Sequence, residues 1–297
     1  MLSFLPGPFR GLLGMLLYIA NTVFWVIPIF VFAVLKWIIP ITFWRQWMST
    51  AADVMASNWI MVNSWNQSLF LKIDLTFESE AEMNISRRYL VISNHQSWVD
   101  ILLLQRVFHR KIPFLKFFLK KELIYVPILG LAWWALDFPF MQRYSKSFIK
   151  KNPHLAGKDI ETTRAACQKF RTLPVSIMNF VEGTRITDEK HTRQKSPYAN
   201  LLKPKAGGIG FVLSSMGDQL DAVLDVTIAY DGTAPTFWEF ICGKLRRVTI
   251  HVRTIPLDQS MLGNYTENKE FRVTFQRKIN SIWAEKDQRL SDLKNKS

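Results

Sequence analysis

The feature that most limits how this chain can fold is an uncharged apolar stretch near its N-terminus. Residues 11–35 read GLLGMLLYIANTVFWVIPIFVFAVL, and no charged side chain lies between Arg10 and Lys36. As a helix this stretch would extend roughly 37 Å, which exceeds the ~30 Å hydrocarbon core of a bilayer. A cleavable signal peptide has a shorter apolar part that ends in small residues, and this stretch has neither property. The stretch therefore predicts a membrane segment, with a buried core helix as the alternative.

Two features around this stretch leave its arrangement in the membrane open. Pro28 lies near its middle, where a proline can kink a helix. The apolar run also resumes beyond Lys36 and continues to Trp44. Both a single transmembrane span and a kinked monotopic hairpin within one leaflet therefore fit the sequence. We assign residues 1–50 to a membrane anchor and residues 51–297 to one folded domain.

Positive charge is concentrated in one part of the chain. The formal net charge is +14, and residues 111–210 carry 18 Lys and Arg against 7 Asp and Glu, which is +11 of that total. Such a segment attracts phosphate head groups, an acidic protein partner or nucleic acid, although a solvated basic face explains the charge equally well. The chain lacks the spacing of helix-turn-helix, zinc-finger and RNA-binding motifs, so we expect no nucleic-acid partner. The positive-inside rule places the bulk of the chain on the cytoplasmic side.

Apolar and turn residues alternate along the rest of the chain in a way typical of an α/β domain. The 48% apolar content excludes a disordered chain. We predict β-strands at residues 73–77, 89–93, 175–181, 222–230 and 247–254. We predict helices at residues 51–70, 97–109, 112–121 (interfacial, because it mixes aromatic residues with lysines), 159–171, 209–216 and 268–287. The predicted fold class is therefore α/β, a mixed sheet flanked by helices with an N-terminal transmembrane or monotopic anchor.

A histidine followed five residues later by an aspartate forms the first candidate reactive pair. His95 lies in the loop after the predicted strand at residues 89–93, and Asp100 falls in the first turn of a helix that Ser97 opens as a capping box. Histidine suits a general base near neutral pH, and a carboxylate can hold its second ring nitrogen. Taken alone, the pair fits a locally bonded histidine and a helix cap better.

A second candidate segment, which we call the 182–185 loop, consists of Glu182, Gly183, Thr184 and Arg185 and follows a predicted strand. Glycine permits a tight turn, and the arginine guanidinium carries a planar fork of donors that matches a phosphate. Glu182 could hold that arginine or a substrate hydroxyl. A polar turn with a local ion pair is the alternative. The two cysteines and five histidines show no metal-ligand spacing, so we predict no metal site.

Together the two segments resemble a known signature. Asn-His-x₄-Asp followed by Phe-x-Glu-Gly-Thr-Arg is the motif order of the glycerolipid acyltransferases, the PlsC-type 1-acyl-glycerol-3-phosphate acyltransferases. Here it is matched by Asn94, His95, Asp100, Phe180, Glu182, Gly183, Thr184 and Arg185. The resemblance implies that His95 is a general base, that Asp100 orients it, and that Asn94 and the 182–185 loop contact the lysophospholipid, whose phosphate the loop binds.

Three further segments extend the resemblance or depart from it. An aromatic-rich segment ending in Arg143 is similar to another family motif, although Gln142 stands where Asp or Asn often precedes that arginine. Lys205 lies in a lysine-glycine segment similar to a family anion contact. The hydrophobic run at residues 224–230 lacks the proline that the family usually carries, as in the lysocardiolipin-like branch. The resemblance thus implies Arg143 and Lys205 as further substrate contacts.

The resemblance implies a membrane-bound enzyme that transfers a fatty acyl group to the free hydroxyl of a lysophospholipid, first of all 1-acyl-glycerol-3-phosphate to give phosphatidate. The expected donor is acyl-CoA or acyl-carrier protein as co-substrate, with no cofactor. The expected location is a bacterial inner (plasma) membrane with an anionic surface, the catalytic domain being cytoplasmic. Two alternatives are acceptors with another head group, and a protein that binds anionic lipid at the membrane surface without catalysis.

Overall fold

A six-stranded mixed sheet forms the centre of the molecule. The computed structural model describes residues 2–141, 173–265 and 267–295, together with residues 161, 165, 167, 168 and 170. The described strands are β1 (Asp74–Ser79), β2 (Tyr89–Ser93), β3 (Leu115–Phe117), β4 (Leu119–Lys120), β5 (Phe140–Met141), β6 (Ser176–Phe180), β7 (Ala222–Tyr230) and β8 (Arg247–Ile255). The described α-helices are α1 (Gly7–Ile38), α2 (Thr42–Phe70), α3 (Val99–Phe108), α4 (Leu129–Ala135), α5 (Asp188–Gln194), α6 (Ala206–Met216), α7 (Phe237–Ile241) and α8 (Lys269–Asn295).

The strand order in this sheet is β1-β8-β7-β2-β6-β3. Neighbouring strands are parallel except for β7 and β8, which are antiparallel. Strands β4 and β5 pair separately as a short parallel ribbon. The predicted mixed α/β sheet is therefore confirmed. Because β7, β2 and β6 are parallel neighbours, their carboxyl ends meet at one edge of the sheet, where loops that bind ligands are usually found.

Helices cover both faces of the sheet, so that its central strands are buried on two sides and consist of nearly continuous apolar residues. In β2, Tyr89 and Val91 pack into a core formed with α3, whereas Leu90 and Ile92 face the opposite core, formed with α6 and α8. Trp283 of α8 is completely buried in that second core. This packing gives β2 and β7 the bounds predicted from the sequence.

Helices α1 and α2 form an antiparallel hairpin. Helix α1 has 32 residues and a mean hydropathy of 2.1 over its most apolar window, of which 11% is buried. By length and composition, it is the one helix in the described part of the chain that could cross a membrane. Inside the hairpin, Asn21 Nδ2 donates to Asn63 Oδ1 at 2.8 Å, and Asn66 Nδ2 donates to the Gly14 carbonyl at 3.1 Å. These buried bonds fix the two helices together.

Helix α1 lies against the rest of the fold at both of its ends. At its start, Arg10 Nη2 donates to the Cys242 carbonyl at 2.8 Å, beside α7. At its end, Lys36 forms an ion pair with Asp137, just beyond α4. The hairpin therefore runs along the domain instead of standing away from it. The predicted boundary between residues 50 and 51 falls inside α2, and the division into anchor and domain stays a prediction.

Several predicted elements differ from the structure. The interfacial helix predicted at residues 112–121 is wrong, because this segment forms β3, which pairs with β6, and β4. Two short helices were not predicted. Helix α5 consists of polar residues, and helix α7 contains little more than a single turn of mostly apolar residues. The C-terminal helix extends to Asn295, beyond the predicted end at residue 287. Most of the helix predicted at residues 159–171 lies outside the described residues.

Candidate active site

The two predicted motifs meet at the carboxyl edge of the sheet. His95 follows β2, the 182–185 loop follows β6, and Tyr230 ends β7. The Ile186 backbone N–H donates to the His95 carbonyl at 2.9 Å, which ties the loop after β6 to the loop after β2. The residues that the sequence placed far apart therefore form one continuous site.

His95 and Asp100 are in direct contact. The distance from His95 Nδ1 to Asp100 Oδ2 is 2.8 Å, and the Asp100 side chain is fully buried. The same oxygen accepts backbone N–H bonds from Gln96 at 2.6 Å and Ser97 at 2.9 Å. An ionised carboxylate only accepts hydrogen bonds, so a neutral imidazole paired with it donates through Nδ1 and keeps the lone pair on Nε2. This arrangement suits a histidine that acts as a base through Nε2.

One of the two bonds of the capping box predicted for this helix is present, because the Asp100 carboxylate accepts from the Ser97 N–H at 2.9 Å. Helix α3 begins at Val99, and the Ser97 hydroxyl accepts from the Val99 N–H at 3.2 Å instead of capping Asp100. The Asp100 carboxylate also accepts from the Gln96 N–H, so it binds the backbone of the preceding loop at two positions. Asp100 thus organises the His95 loop as well as the imidazole.

Tyr230 is a site residue that the sequence analysis missed. Its hydroxyl donates to Asp100 Oδ1 at 2.6 Å, and its side chain is buried. Burial, followed by the negative charge of Asp100, raises the pKa of Tyr230 well above its ordinary value. The phenol therefore stays protonated and remains a donor, which stabilises the ionised form of Asp100. No local sequence pattern signals this contact, since the two residues lie 130 positions apart.

Phe180, the last residue of β6, fixes the plane of the imidazole. The rings of His95 and Phe180 stack with their centroids 3.8 Å apart and an interplanar angle of 13°. The ring of Phe117 in β3 stacks in turn on the ring of Phe180, with the two centroids 6.1 Å apart. The His95 side chain keeps only 13% of its surface exposed. One face of the base is thus covered by aromatic rings, while a limited opening remains for a substrate.

Asn94 has a different position from the substrate contact predicted for it. Its side chain is fully buried, its Nδ2 donates to the Ile228 carbonyl at 3.0 Å, and its Oδ1 accepts from the Ile228 N–H at 2.9 Å. The Gln96 amide donates to the same Ile228 carbonyl at 2.7 Å. The amide group of Asn94 therefore continues the pairing between β2 and β7 beyond the end of β2. It holds the His95 loop in place, and the predicted substrate contact is corrected on this ground.

Glu182 turns into the protein interior. Its side chain has 1% of its surface exposed, and neither carboxylate oxygen makes a well-aligned hydrogen bond with any described residue. Burial raises the pKa of Glu182 from 4.5 to about 8, although the nearby backbone of Leu202 and His95 and the charge of Lys286 oppose this shift. The predicted pairing of Glu182 with Arg185 is not among the ion pairs of the described residues.

Arg185, in contrast, turns outward. Gly183 has a φ of +69°, a left-handed conformation that glycine adopts without strain and that reverses the chain between Glu182 and Arg185. The Arg185 guanidinium lies 5.1 Å from the centroid of the Trp98 ring, a cation–π contact. Lys190 Nζ donates to Thr184 Oγ1 at 2.9 Å and to the Arg185 carbonyl at 2.8 Å, which fixes the loop. An exposed guanidinium is thereby held against the ring of Trp98, three residues after His95 in the chain.

Lys205 reaches the same edge of the sheet. It precedes α6, its side chain is exposed, and its backbone N–H donates to the Val181 carbonyl at 2.9 Å, next to Glu182. The last predicted contact, Arg143, lies outside the described residues. Among the residues that the structure describes, no group of three or more His, Cys, Asp or Glu could hold a metal ion. The site therefore joins one oriented base with exposed cations.

Comparison with known proteins agrees with this geometry. The profile of the family described as Acyltransferase matches residues 74–230, which is more than half of the chain. The chain belongs to this acyltransferase family. The matched residues contain every described residue of the site, including Tyr230 at the last matched position.

Three relatives show how far the likeness of this acyltransferase extends. A probable 1-acyl-sn-glycerol-3-phosphate acyltransferase of Arabidopsis thaliana is 30% identical over 71% of this chain and 57% of its own length. The human 1-acyl-sn-glycerol-3-phosphate acyltransferase delta is 28% identical over 57% of this chain and 45% of its own. A 2-acyl-1-lysophosphatidylinositol acyltransferase of Saccharomyces cerevisiae is 25% identical over 67% and 59%. The chain thus spans about half the length of the curated relatives it matches.

A solved structure supports the fold of the acyltransferase. The crystal structure of the 1-acyl-sn-glycerophosphate acyltransferase PlsC from Thermotoga maritima aligns with a TM-score of 0.56 at 15% identity. The alignment covers 96% of this chain and 98% of that chain, so it includes the N-terminal hairpin as well as the sheet. This match shows the fold, and together with the family profile and the relatives it confirms the PlsC-type family, whereas the lysocardiolipin-like branch stays a prediction.

Proposed function

We propose that this acyltransferase transfers a fatty acyl group from an acyl thioester to the free hydroxyl of a lysophospholipid, with 1-acyl-glycerol-3-phosphate as the first acceptor to test. The observation that carries the proposal is the contact of His95 with a buried carboxylate beside an exposed arginine. A buried Asp100 that orients one ring nitrogen leaves the other as a base directed to the site. The names of the Arabidopsis and human relatives support the choice of acceptor.

This geometry supports a direct acyl transfer. Nε2 of His95 removes the proton of the acceptor hydroxyl while its oxygen attacks the thioester carbonyl. The carbon–sulfur bond then breaks, and the imidazolium returns the proton to the departing thiolate. Asp100 stabilises the imidazolium between these steps. No protein nucleophile is needed, because a thioester is already activated, and direct attack in a ternary complex accounts for the whole transfer.

Cations near His95 would bind the phosphate of the acceptor. Arg185 presents an exposed guanidinium, whose planar fork can donate two parallel hydrogen bonds to phosphate oxygens. Lys205 lies near the same edge of the sheet. A phosphate held there would place the glycerol hydroxyl next to the imidazole, which gives the arginine a role in binding and the histidine a role in turnover.

The α1–α2 hairpin is the proposed membrane attachment. Its outer surface exposes large apolar side chains along the whole hairpin, among them Leu16, Phe24, Ile27, Trp37 and Trp47. Because α1 also contacts the domain at both ends, this surface favours monotopic attachment over a span. A bacterial inner membrane, a cytoplasmic domain and the choice between acyl-CoA and acyl-carrier protein as donor stay predictions.

The head group of the acceptor is the open part of the proposal. The yeast relative is named for lysophosphatidylinositol, whereas the plant and human relatives are named for 1-acyl-glycerol-3-phosphate. An arginine that binds a phosphate accepts both, since both lipids carry one. The assay therefore uses a panel of lysophospholipids in place of a single acceptor.

The test is acyl transfer by the detergent-purified protein, with labelled acyl-CoA or acyl-carrier protein and mass spectrometry of the products. His95→Ala and Asp100→Asn are each expected to lower turnover by about 10²–10⁴-fold. His109→Ala, at the other end of α3, is the matched control and is expected to retain activity. Full activity of His95→Ala would refute the assigned base. A folded wild type that binds anionic vesicles but acylates no acceptor would favour the non-catalytic alternative.

A further inference from the structure

A second basic site lies where the start of α1 meets α7. A cavity of about 600 Å³ opens there, lined on one side by Gly7, Pro8 and Arg10 of α1. Its other side consists of Trp238 in α7, the Cys242–Gly243–Lys244 turn, and Arg246 before β8. We call it the α1–α7 pocket. Its volume lies within the range of small-ligand sites, and it has no part in the acyl-transfer site described above.

The wall of this pocket has a fixed geometry. Arg10 donates to the Ser3 carbonyl at 3.0 Å and to the Cys242 carbonyl at 2.8 Å. Its guanidinium packs over Gly243, where a Cβ atom would lie 2.9 Å from three guanidinium atoms. The Gly243 φ of +81° also favours glycine. Arg10 is therefore held in one position, and its Nε is buried with no acceptor among the described residues.

The remaining cations of the pocket are more open. The exposed Arg246 side chain has no hydrogen-bond or ion-pair partner in the described part of the chain. Lys244 forms an ion pair with Glu239 at 2.9 Å. Three cations and one carboxylate leave a net charge of about +2 around the cavity. A held guanidinium beside a second, unpaired one is a suitable receptor for a phosphate.

The surroundings of the pocket indicate the source of that phosphate. Phe4 and Phe9, near the start of α1, are 77% and 65% exposed, and Trp238 at the pocket wall is 47% exposed. Exposed aromatic side chains beside cations are typical of the head-group level of a membrane. The pocket therefore lies at the end of the apolar hairpin surface, where a phospholipid could insert its chains beside α1 and its phosphate among the cations.

The pocket and the His95 site occupy the same edge of the sheet. Val248 of β8 pairs with Tyr230, so Arg246 lies just beyond the carboxyl end of β7. The Ser97 hydroxyl donates to the Pro235 carbonyl in the connection that leads to α7. A lipid bound in the pocket would thus fix the orientation of this edge relative to the membrane.

We propose that the α1–α7 pocket binds the phosphate of an anionic membrane phospholipid, with Arg10 as its rigid wall and Arg246 as its main open contact. The lipid is a docking ligand and not the acceptor of the acyl group. This binding does not depend on the proposed acyl transfer, and His95→Ala is expected to bind the lipid as tightly as the wild type.

The chain provides a matched pair of neighbouring arginines for the test. Arg246→Gln removes a cation that lines the pocket, whereas Arg247→Gln removes an equal charge from a residue that lies outside it and pairs with Asp74 at 3.6 Å. Binding of the full-length protein is measured on vesicles of phosphatidylcholine with and without phosphatidylglycerol. Arg246→Gln is expected to weaken the phosphatidylglycerol-dependent binding about fivefold, since one cation near an anionic surface contributes about 1 kcal/mol.

Three outcomes decide the proposal. Weaker binding in Arg246→Gln and in Lys244→Gln, with Arg247→Gln equal to wild type, supports it. An equal loss in Arg246→Gln and Arg247→Gln would show diffuse attraction and overturn it. Binding of inorganic phosphate is titrated in parallel, and if only that binding depends on Arg246, a soluble phosphate compound is the ligand and the lipid assignment fails. Thermal unfolding of each variant establishes that it remains folded.

Discussion

Glu182→Gln tests whether the buried carboxyl of the 182–185 loop is protonated in the folded protein. Burial raises the pKa of Glu182 from 4.5 to about 8. Between these values the native state holds a proton that the unfolded state has released, so stability falls as the pH rises through this window. A difference of 3.5 units corresponds to an upper value of about 5 kcal/mol. Glutamine cannot ionise, so the variant escapes this loss.

The assay is thermal unfolding of wild type and Glu182→Gln in detergent at several pH values. In a chain of this size, 1 kcal/mol changes Tm by roughly 2 °C. The two proteins are expected to unfold at similar temperatures near pH 5, and the variant is expected to be more stable above pH 8 by roughly 5–10 °C. Glu189→Gln, at an exposed position of α5, is the control and is expected to follow the wild type at every pH.

The difference between the two Tm curves isolates the contribution of Glu182, because all other ionisable groups are common to both proteins. A constant Tm difference from pH 5 to pH 9 would show that Glu182 carries the same charge throughout. It would then refute the claim that the interior leaves this carboxyl without adequate partners.

Further variants test the other parts of the site. Tyr230→Phe removes the donor to Asp100 and is expected to lower kcat about tenfold with KM unchanged, since hydrogen bonds to charged groups contribute about 1.5–3 kcal/mol. Tyr198→Phe is its control in the same steady-state assay. A wild-type kcat in Tyr230→Phe would exclude a role of the Tyr230 hydroxyl in supporting Asp100. Arg185→Lys loses the planar fork, so KM for the acceptor should rise about tenfold; a fall in kcat at constant KM would contradict phosphate binding. Gly183→Ala forces a side chain into a left-handed conformation and should cost about 1–2 kcal/mol in the free energy of unfolding; unchanged thermal stability would show that the loop adapts.

Strands buried on both faces were predicted most accurately. β2 and β7 have the predicted bounds, because continuous apolar residues flanked by turn residues specify a strand that packs on two sides. The segment that forms β3 was misassigned, since its lysines suggested a surface. Lys116 is instead buried, where it pairs with Asp53 of α2 at 3.0 Å and donates to the Leu136 carbonyl at 2.9 Å. A local pattern of residue types cannot show that a buried lysine such as Lys116 will pair with a carboxylate far away in the sequence, such as Asp53.

In the active site, too, contacts between residues close in sequence were predicted, whereas contacts between distant residues were not. The contact of His95 with Asp100 was predicted because both residues lie within one loop and the first turn of one helix. The hydroxyl that donates to Asp100 belongs to Tyr230 of β7, which is far away in the sequence. The interior position of Glu182 depends on how the chain turns at Gly183. Neither contact could be inferred from the spacing of residues. Motif residues thus identify where the chemistry takes place, whereas the groups that hold them are selected by the topology of the sheet.

The arrangement of the apolar hairpin depends even more strongly on distant contacts. Arg10 and Lys36, which flank the uncharged stretch, bind the domain through Cys242 and Asp137, at separations of 232 and 101 residues. A helix that crossed the bilayer away from the domain would carry one of these ends to the opposite surface, about 30 Å away. Because the domain contacts both ends, the attachment that we propose is a hairpin within one leaflet. Hydropathy alone cannot make this distinction, since both arrangements require the same apolar residues.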